Sequence, residues 1–196
     1  SEPLILASQS PARQALLRNA RIDFEPVPAN IDERAIQQAS GLHAPGKIAE
    51  HLARAKALHV ASLHPGRIVI GADQTLALGE RLFSKPSDRK EAAEQLRTLS
   101  GQRHHLNSAV AVAKNSAVVF SHVGVASMTM RSLGDNMIAS YLDRVGNAVM
   151  QSVGGYQLEG LGVHLFERID GDYFTILGLP LLPLLAFLRS EKLIAL

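Results

Sequence analysis

A chain of 196 residues that is 46% hydrophobic and 19% charged is long enough to bury a core, and its size suits one domain or two small lobes sharing a sheet. The formal charge of +2 is spread over 20 basic and 18 acidic residues with no block of like charge, so nothing in it announces a nucleic-acid-coating surface. The absence of cysteine excludes disulfides, thiolate nucleophiles, iron–sulfur ligation and zinc–thiolate sites, and fits a reducing compartment.

In chain order, residues 4–7 (LILA) read as a buried strand. Ser10-Pro11 reads as an N-cap with proline at the first helical position, opening a helix that runs to about Asn19. Residues 22–27 predict a second strand, and residues 28–46, rich in Pro, Gly, Asn and Asp, predict a loop with one helical turn. Over residues 47–61 the apolar positions Ile48, Leu52, Ala55 and Leu58 recur at helical spacing, which leaves Lys47, Glu50, Arg54 and, less cleanly, Lys56 in water. Residues 67–72 form an aliphatic strand at whose end Asp73 stands, and Lys85-Pro86 follows a short hairpin-like excursion. Asp88 with Glu91 matches a capping box, after which Ala92, Leu96 and Leu99 share one face of a helix that closes near Ser100-Gly101.

The middle of the chain turns to β character, with strands at 110–113 and 118–130 about the turn Lys114-Asn115-Ser116. Met137, Ile138, Tyr141, Leu142 and Val145 then return to helical spacing. A glycine-rich stretch at 154–162, a strand near 163–169, a turn at Asp170-Gly171 and a helix from about Pro180 follow. The longest uncharged apolar run, 173–188, is too short to span a bilayer comfortably and is broken by Gly178, Pro180 and Pro183, so it reads as core and no membrane partner is expected. The N-terminal residues show no secretory pattern, which makes cytoplasm the expected location. Strands interleaved with helices predict a single α/β domain over residues 1–196, with a mixed sheet, flanking helices and two lobes around a central cleft.

Four stretches carry candidate chemistry. Where the first strand feeds a helix, the free N–H groups of the first turn favour an anion, and Ser8, Gln9 and Ser10 add polar side chains there. Arg13 lies in that first turn, where a cation is unfavourable against the helix dipole by about 0.3–1 kcal/mol until a negative group arrives. A helix cap with a surface arginine accounts for the same residues. The second stretch is "IVIGADQTLALGERLFSKP", in which Asp73 and Lys85 supply the carboxylate and ammonium that metal-assisted phosphoryl chemistry uses, unless they only cap a turn and meet solvent. The third, "NIDERA", offers Asp32 and Glu33 as oxygen ligands for a hard cation or as an ordinary solvated acid pair. In the fourth, Glu159 sits among Gly154, Gly155, Gly160 and Gly162, where a carboxylate could accept two N–H bonds from a base edge. The histidines show no H-x-x-x-H pairing, and His104-His105 at a strand start would face opposite ways.

Taken together, "LILASQSPARQALL", "NIDE", "GADQTLALGERLFSKP", "LSGQRHH" and "YQLEGLGVHLFERIDGDYFTILGLPL" resemble, over essentially the whole chain, the Maf-like nucleoside triphosphate pyrophosphatases. The resemblance implies a mixed α/β fold of the Maf and inosine-triphosphatase kind, often dimeric, hydrolysing a nucleoside triphosphate to monophosphate and pyrophosphate with a divalent metal such as Mg2+, Mn2+ or Co2+. It makes Asp73 the acid that activates water and a metal partner together with Glu33, and it makes Ser8, Arg13 and Lys85 the phosphate-handling groups. The dTTP/UTP branch pairs an arginine before Arg13 with a threonine after the catalytic acid and a glutamine in the glycine-rich loop. This chain has Ala12, Gln74 and Glu159 at those places, and the last two resemble the branch that prefers 7-methyl-GTP. An ionised glutamate only accepts, which suits the N1–H and N2–H2 donors of guanine. That branch often carries tryptophan where Ala12 stands, and the chain has no tryptophan to stack on a cationic base. Proteins resembling this one have been linked to division control, which leaves a nucleotide- or nucleic-acid-binding regulator as the alternative without catalysis.

Overall fold

The computed structural model describes residues 2–196. A seven-stranded mixed sheet runs in the order β2-β1-β3-β5-β6-β7, with β4 paired to β3 off that path. Its strands are β1 Leu4–Leu6, β2 Phe24–Pro26, β3 Ile68–Leu78, β4 Arg81–Phe83, β5 Arg103–Lys114, β6 Ala117–Met130 and β7 Phe166–Asp170. β1 pairs in parallel with β2 and β3, whereas β4 and β7 pair antiparallel with β3 and β6. The helices are α1 Pro11–Asn19, α2 Glu33–Ser40, α3 Pro45–Leu63, α4 Arg89–Leu99, α5 Asp135–Val145, α6 Tyr173–Leu177 and α7 Leu181–Ser190. Among the described residues no helix is long and apolar enough to cross a membrane.

The chain divides into two compact units, one made of residues 1–74, 107–124 and 172–196, the other of residues 75–106 and 125–171. In the first, β1, β3 and β5 are buried on both faces, which is why they read as continuous apolar runs. The two faces are chemically different. One carries Leu4, Leu6, Ile70, Ala72, Val110 and Val112 against the leucines of α1 and α7. The other carries Ile5, Ala7, Val69, Ala109, Ala111 and Ala113 against Ala49, Ala53, Ala57, Val60 and Ala61 of α3. Small side chains on both sides let the α3 backbone approach the sheet closely. Gly71 marks the closest point, since a Cβ there would lie 2.4 Å from the Ala53 carbonyl oxygen and 2.7 Å from the Ala57 nitrogen.

In the second unit α4 buries Ala92, Leu96 and Leu99, and α5 buries Ile138, Tyr141 and Leu142. Asp88 caps α4 by accepting from the Glu91 N–H at 2.7 Å, while the Glu91 carboxylate reaches back to Ser87, one residue before the cap. His104, buried at the start of β5, meets the Tyr156 hydroxyl at 2.6 Å. Residues 146–165 are largely 3-10 turns, and Tyr141 donates to the Gly155 carbonyl at 2.8 Å to hold them on α5.

Several sequence expectations are corrected here. Asp73 stands in the middle of an 11-residue strand, because Gln74 to Leu78 continue β3 into the hairpin with β4. The segment expected as a loop with one helical turn holds the longer, eight-residue helix α2, which Asp32 caps by accepting from the Ala35 N–H at 3.0 Å. The strand start expected at His104-His105 and the strand expected at 110–113 are one continuous β5, and the strand expected near 163–169 is 3-10 up to Leu165. Lys56 is not in water: the buried face of α3 follows its alanines, and this leaves the Lys56 side chain 13% exposed.

Candidate active site

The parallel register pairs Leu6 with Ile70, so the chain leaving β1 passes beside Ala72 and Asp73. Ser8 and Ser10 lie where β1 gives way to α1. The Ser10 hydroxyl caps the helix by accepting from the Arg13 N–H at 3.3 Å, and Pro11 occupies the first turn as expected. Ser8 Oγ accepts from the Ser10 N–H at 3.1 Å and from Arg13 Nη1 at 3.4 Å, which leaves its own O–H to donate. Arg13 is anchored on its other side, its Nε donating to the Gly178 carbonyl at 2.8 Å. Burial lowers the guanidinium pKa, opposed by the charges of Asp73 and Glu33, and the group stays a cation. The serines and the arginine of the opening motif thus form one anion-ready corner.

Opposite them on β3, Asp73 is buried with Lys56. The Lys56 ammonium has three N–H donors and three acceptors: Glu33 Oε1 at 2.6 Å, Asp73 Oδ1 at 2.9 Å and the Ala72 carbonyl at 3.3 Å. Asp73 Oδ2 keeps no hydrogen-bond partner among the described residues. Burial pushes the Asp73 carboxyl above the usual aspartate range, while Lys56, through its charge and its hydrogen bond, and then Arg13 pull it back. A carboxylate made more basic by burial, fixed by an ammonium and with one oxygen open, is equipped to accept a proton from water.

Ser8, Arg13, Glu33 and Asp73, drawn from three sequence motifs, are therefore gathered in the first unit, and Lys56 joins them. The spacing of the large apolar residues of α3 does not reveal Lys56; the run Ala49, Ala53, Ala57, Ala61 at intervals of four is the signal that places it. Gln74, on the opposite face of β3 from Asp73, turns its amide nitrogen to Ser108 and to the carbonyls of Thr175 and Ile176. Ala12 is partly buried in the first turn of α1. Lys85 and Glu159 belong to the second unit, Lys85 exposed after β4 and Glu159 exposed in the 3-10 region.

The described residues contain no cluster of three or more His, Asp or Glu side chains able to hold a metal ion unaided. The donor set does fit a hard divalent cation of the magnesium kind, which takes one or two carboxylates and completes its shell with water and substrate phosphates. Glu33 and Asp73 are two carboxylates already converging on one cationic group, Lys56.

Comparison with known proteins adds three findings. The family model described as Maf-like protein matches residues 3–191. A nucleoside triphosphate pyrophosphatase of Rhodopseudomonas palustris strain HaA2 is 64% identical over 193 residues, covering 98% of this chain and 96% of the relative. A protein of Brucella abortus biovar 1 named 7-methyl-GTP pyrophosphatase is 53% identical over 192 residues, covering 96% of each chain.

Proposed function

The chain belongs to the Maf-like family, and on that premise we propose that it is a cytoplasmic nucleoside triphosphate pyrophosphatase, a hydrolase that splits its substrate into nucleoside monophosphate and pyrophosphate. The observation that carries this reading is the Lys56 ammonium held between Glu33 and the buried Asp73, beside a serine–arginine corner at a helix start.

Arg13 and Ser8 bind phosphate oxygens, the first by charge-assisted N–H bonds and the second through its free O–H. Lys85 is a further phosphate-handling group on the family resemblance. Asp73 Oδ2 takes a proton from the attacking water as the water oxygen bonds to the α-phosphorus. The bond from that phosphorus to the bridging oxygen breaks, and pyrophosphate departs with the electron pair. Lys56 favours the ionised form of Asp73 and fixes its orientation, so that the base is in place before the substrate arrives. Glu33 and Asp73 would hold the divalent cation, which when bound supplies Lewis-acid polarisation of phosphate oxygens.

The finer reading is a modified purine nucleotide such as 7-methyl-GTP. Its support is the Brucella relative and the acceptor-only chemistry of Glu159, which matches the donor edge of guanine. The test is pyrophosphate release from a panel of ordinary and modified nucleoside triphosphates with magnesium, manganese or cobalt. Release confined to modified guanosine nucleotides is the expected result; turnover of dTTP and UTP would move the chain to the sister specificity, and no release would favour a binding regulator. Asp73→Asn should lower turnover at least about a hundredfold while nucleotide still binds. Near-normal turnover in that variant would remove Asp73 from the mechanism.

A further inference from the structure

Asp73 and Gln74 are consecutive on β3, so their side chains leave opposite faces of the sheet. Asp73 meets α3, whereas Gln74 follows Ile70 and Ala72 onto the leucine-lined face. There Gln74 Nε2 lies 2.9 Å from Ser108 Oγ, 3.2 Å from the Thr175 carbonyl oxygen and 3.0 Å from that of Ile176. Ser108, itself fully buried, donates its hydroxyl to the same Thr175 carbonyl at 2.5 Å. These carbonyls close α6, and the last carbonyls of a helix have no partner inside it. Two side chains from β3 and β5 therefore clamp the end of a five-residue helix that could not hold its own shape.

The clamp has a consequence one turn further on. Gly178 ends α6 in the left-handed region, φ 106, with its N–H returned to the Phe174 and Thr175 carbonyls. Its own carbonyl receives Arg13 Nε at 2.8 Å. A Cβ at this glycine would come within 3.2 Å of that Nε, so the turn and the guanidinium fit each other closely. A continuous series of contacts thus runs from the Gln74 amide, through the α6 carbonyls and the Gly178 turn, to the arginine.

We infer that Gln74 is a positioning residue for Arg13: by clamping the end of α6 it sets the Gly178 carbonyl that holds Nε, leaving the Nη groups turned to phosphate. The inference rests on the proposed phosphate role of Arg13. It adds to the expectation that residue 74 reads the base. A glutamine amide has two N–H donors, and three acceptors of the chain itself surround this one, so Nε2 is committed to the clamp and only Oε1 is left to accept from a ligand. Through the clamp, the identity of residue 74 should act on the triphosphate whatever base it carries.

Inorganic pyrophosphate, which has no base, is the probe. Calorimetric titration of the full chain with pyrophosphate should show affinity falling about three- to tenfold in Gln74→Leu, the scale of one or two lost net hydrogen bonds. The same substitution should have no further effect in an Arg13→Lys background, where the Nε donor is already gone. In parallel, hydrogen exchange of the Arg13 Nε–H, followed by 15N NMR, should be slow in the wild type and faster in the variant. Ser108→Ala, which removes one member of the clamp and no volume of note, should shift both readouts in the same direction and covers the case in which Gln74→Leu does not fold. Unchanged pyrophosphate affinity and unchanged exchange in either folded variant would overturn the inference, as would an equal loss of affinity in the Arg13→Lys background. Failure of the wild type to bind pyrophosphate would instead remove the phosphate role of Arg13, while the Nε–H exchange rates would still decide whether Gln74 holds it.

Discussion

Replacing Lys56 by methionine keeps the length of the side chain and deletes the ammonium that Asp73 and Glu33 share. An opposite charge within hydrogen-bond reach holds a carboxylate pKa down, so without it the Asp73 carboxyl should rise beyond the increase burial already imposes. Removing one partner of a buried ion pair costs about 3–5 kcal/mol, and a loss of that order is expected once Asp73 is ionised. Glu33, with half its side chain exposed, adds little. The sign of the pH dependence follows from linkage. In both proteins the folded pKa of Asp73 lies above the unfolded value of 3.8, so the contribution of this group is lost as pH rises through the folded pKa. That pKa is higher in the variant, so the stability gap should be small at about pH 4, widen with pH, and level off above the variant's value. Urea unfolding at several pH values, with a chelator present so that no divalent cation competes, measures the gap. A gap that does not change with pH, or a variant as stable as the wild type at about pH 8, would refute the role given to the Lys56–Asp73 pair.

Gly71→Ala places a methyl group against backbone atoms of α3, and the overpacking should cost about 1–3 kcal/mol or more in urea unfolding; wild-type stability would show that α3 does not lie where described. His104, kept neutral by burial with a smaller push from His105, should titrate at about 4 when its ring proton is followed by NMR, and a value near 6.5 would contradict its burial. Because that folded pKa is depressed, the histidine contributes about 3 kcal/mol of stability above pH 6.5, and this is lost as pH falls toward 4. Glu159→Gln exchanges an acceptor-only group for a mixed donor and acceptor, and the ratio of guanosine to uridine triphosphate turnover should fall about tenfold. An unchanged ratio would mean that this loop does not read the base.

Much of the frame was legible because its signals are local. Ser10 with Pro11, and Asp88 three residues before Glu91, are capping chemistry that depends on adjacent residues, and both helices start where those residues place them. The β3–β4 hairpin corresponds to the short hairpin-like excursion expected before Lys85, and Gly79, with its positive φ, makes the turn. What escaped was set by distant partners. Asp32 looked like a loop acid because α2 has no buried residue to give it an apolar stripe, yet its cap is ordinary. The length of β3 was hidden because Asp73 and Gln74 interrupt the apolar run, and both are tolerated mid-strand for one reason: each finds its partner on a different face, Lys56 from α3 for the acid and the α6 carbonyls for the amide.

The same argument explains why the site needs such small residues beside it. An ammonium can touch the Ala72 carbonyl and the Asp73 carboxylate together only if the helix that carries it lies nearly against the strand. Leucines at 49, 53 and 57 would bury more apolar area, at about 25 cal/mol per Å2, but would push α3 outward and take Lys56 out of reach of β3. The alanines of α3 and the hydrogen of Gly71 thus forgo hydrophobic stabilisation to bring a lysine next to a buried acid. A glycine two residues before a strand aspartate, facing a helix with alanines at intervals of four and a lysine one position away, is a pattern visible without coordinates. Its physical content is a distance: close enough for an ammonium to oppose the cost that burial lays on an ionised carboxylate.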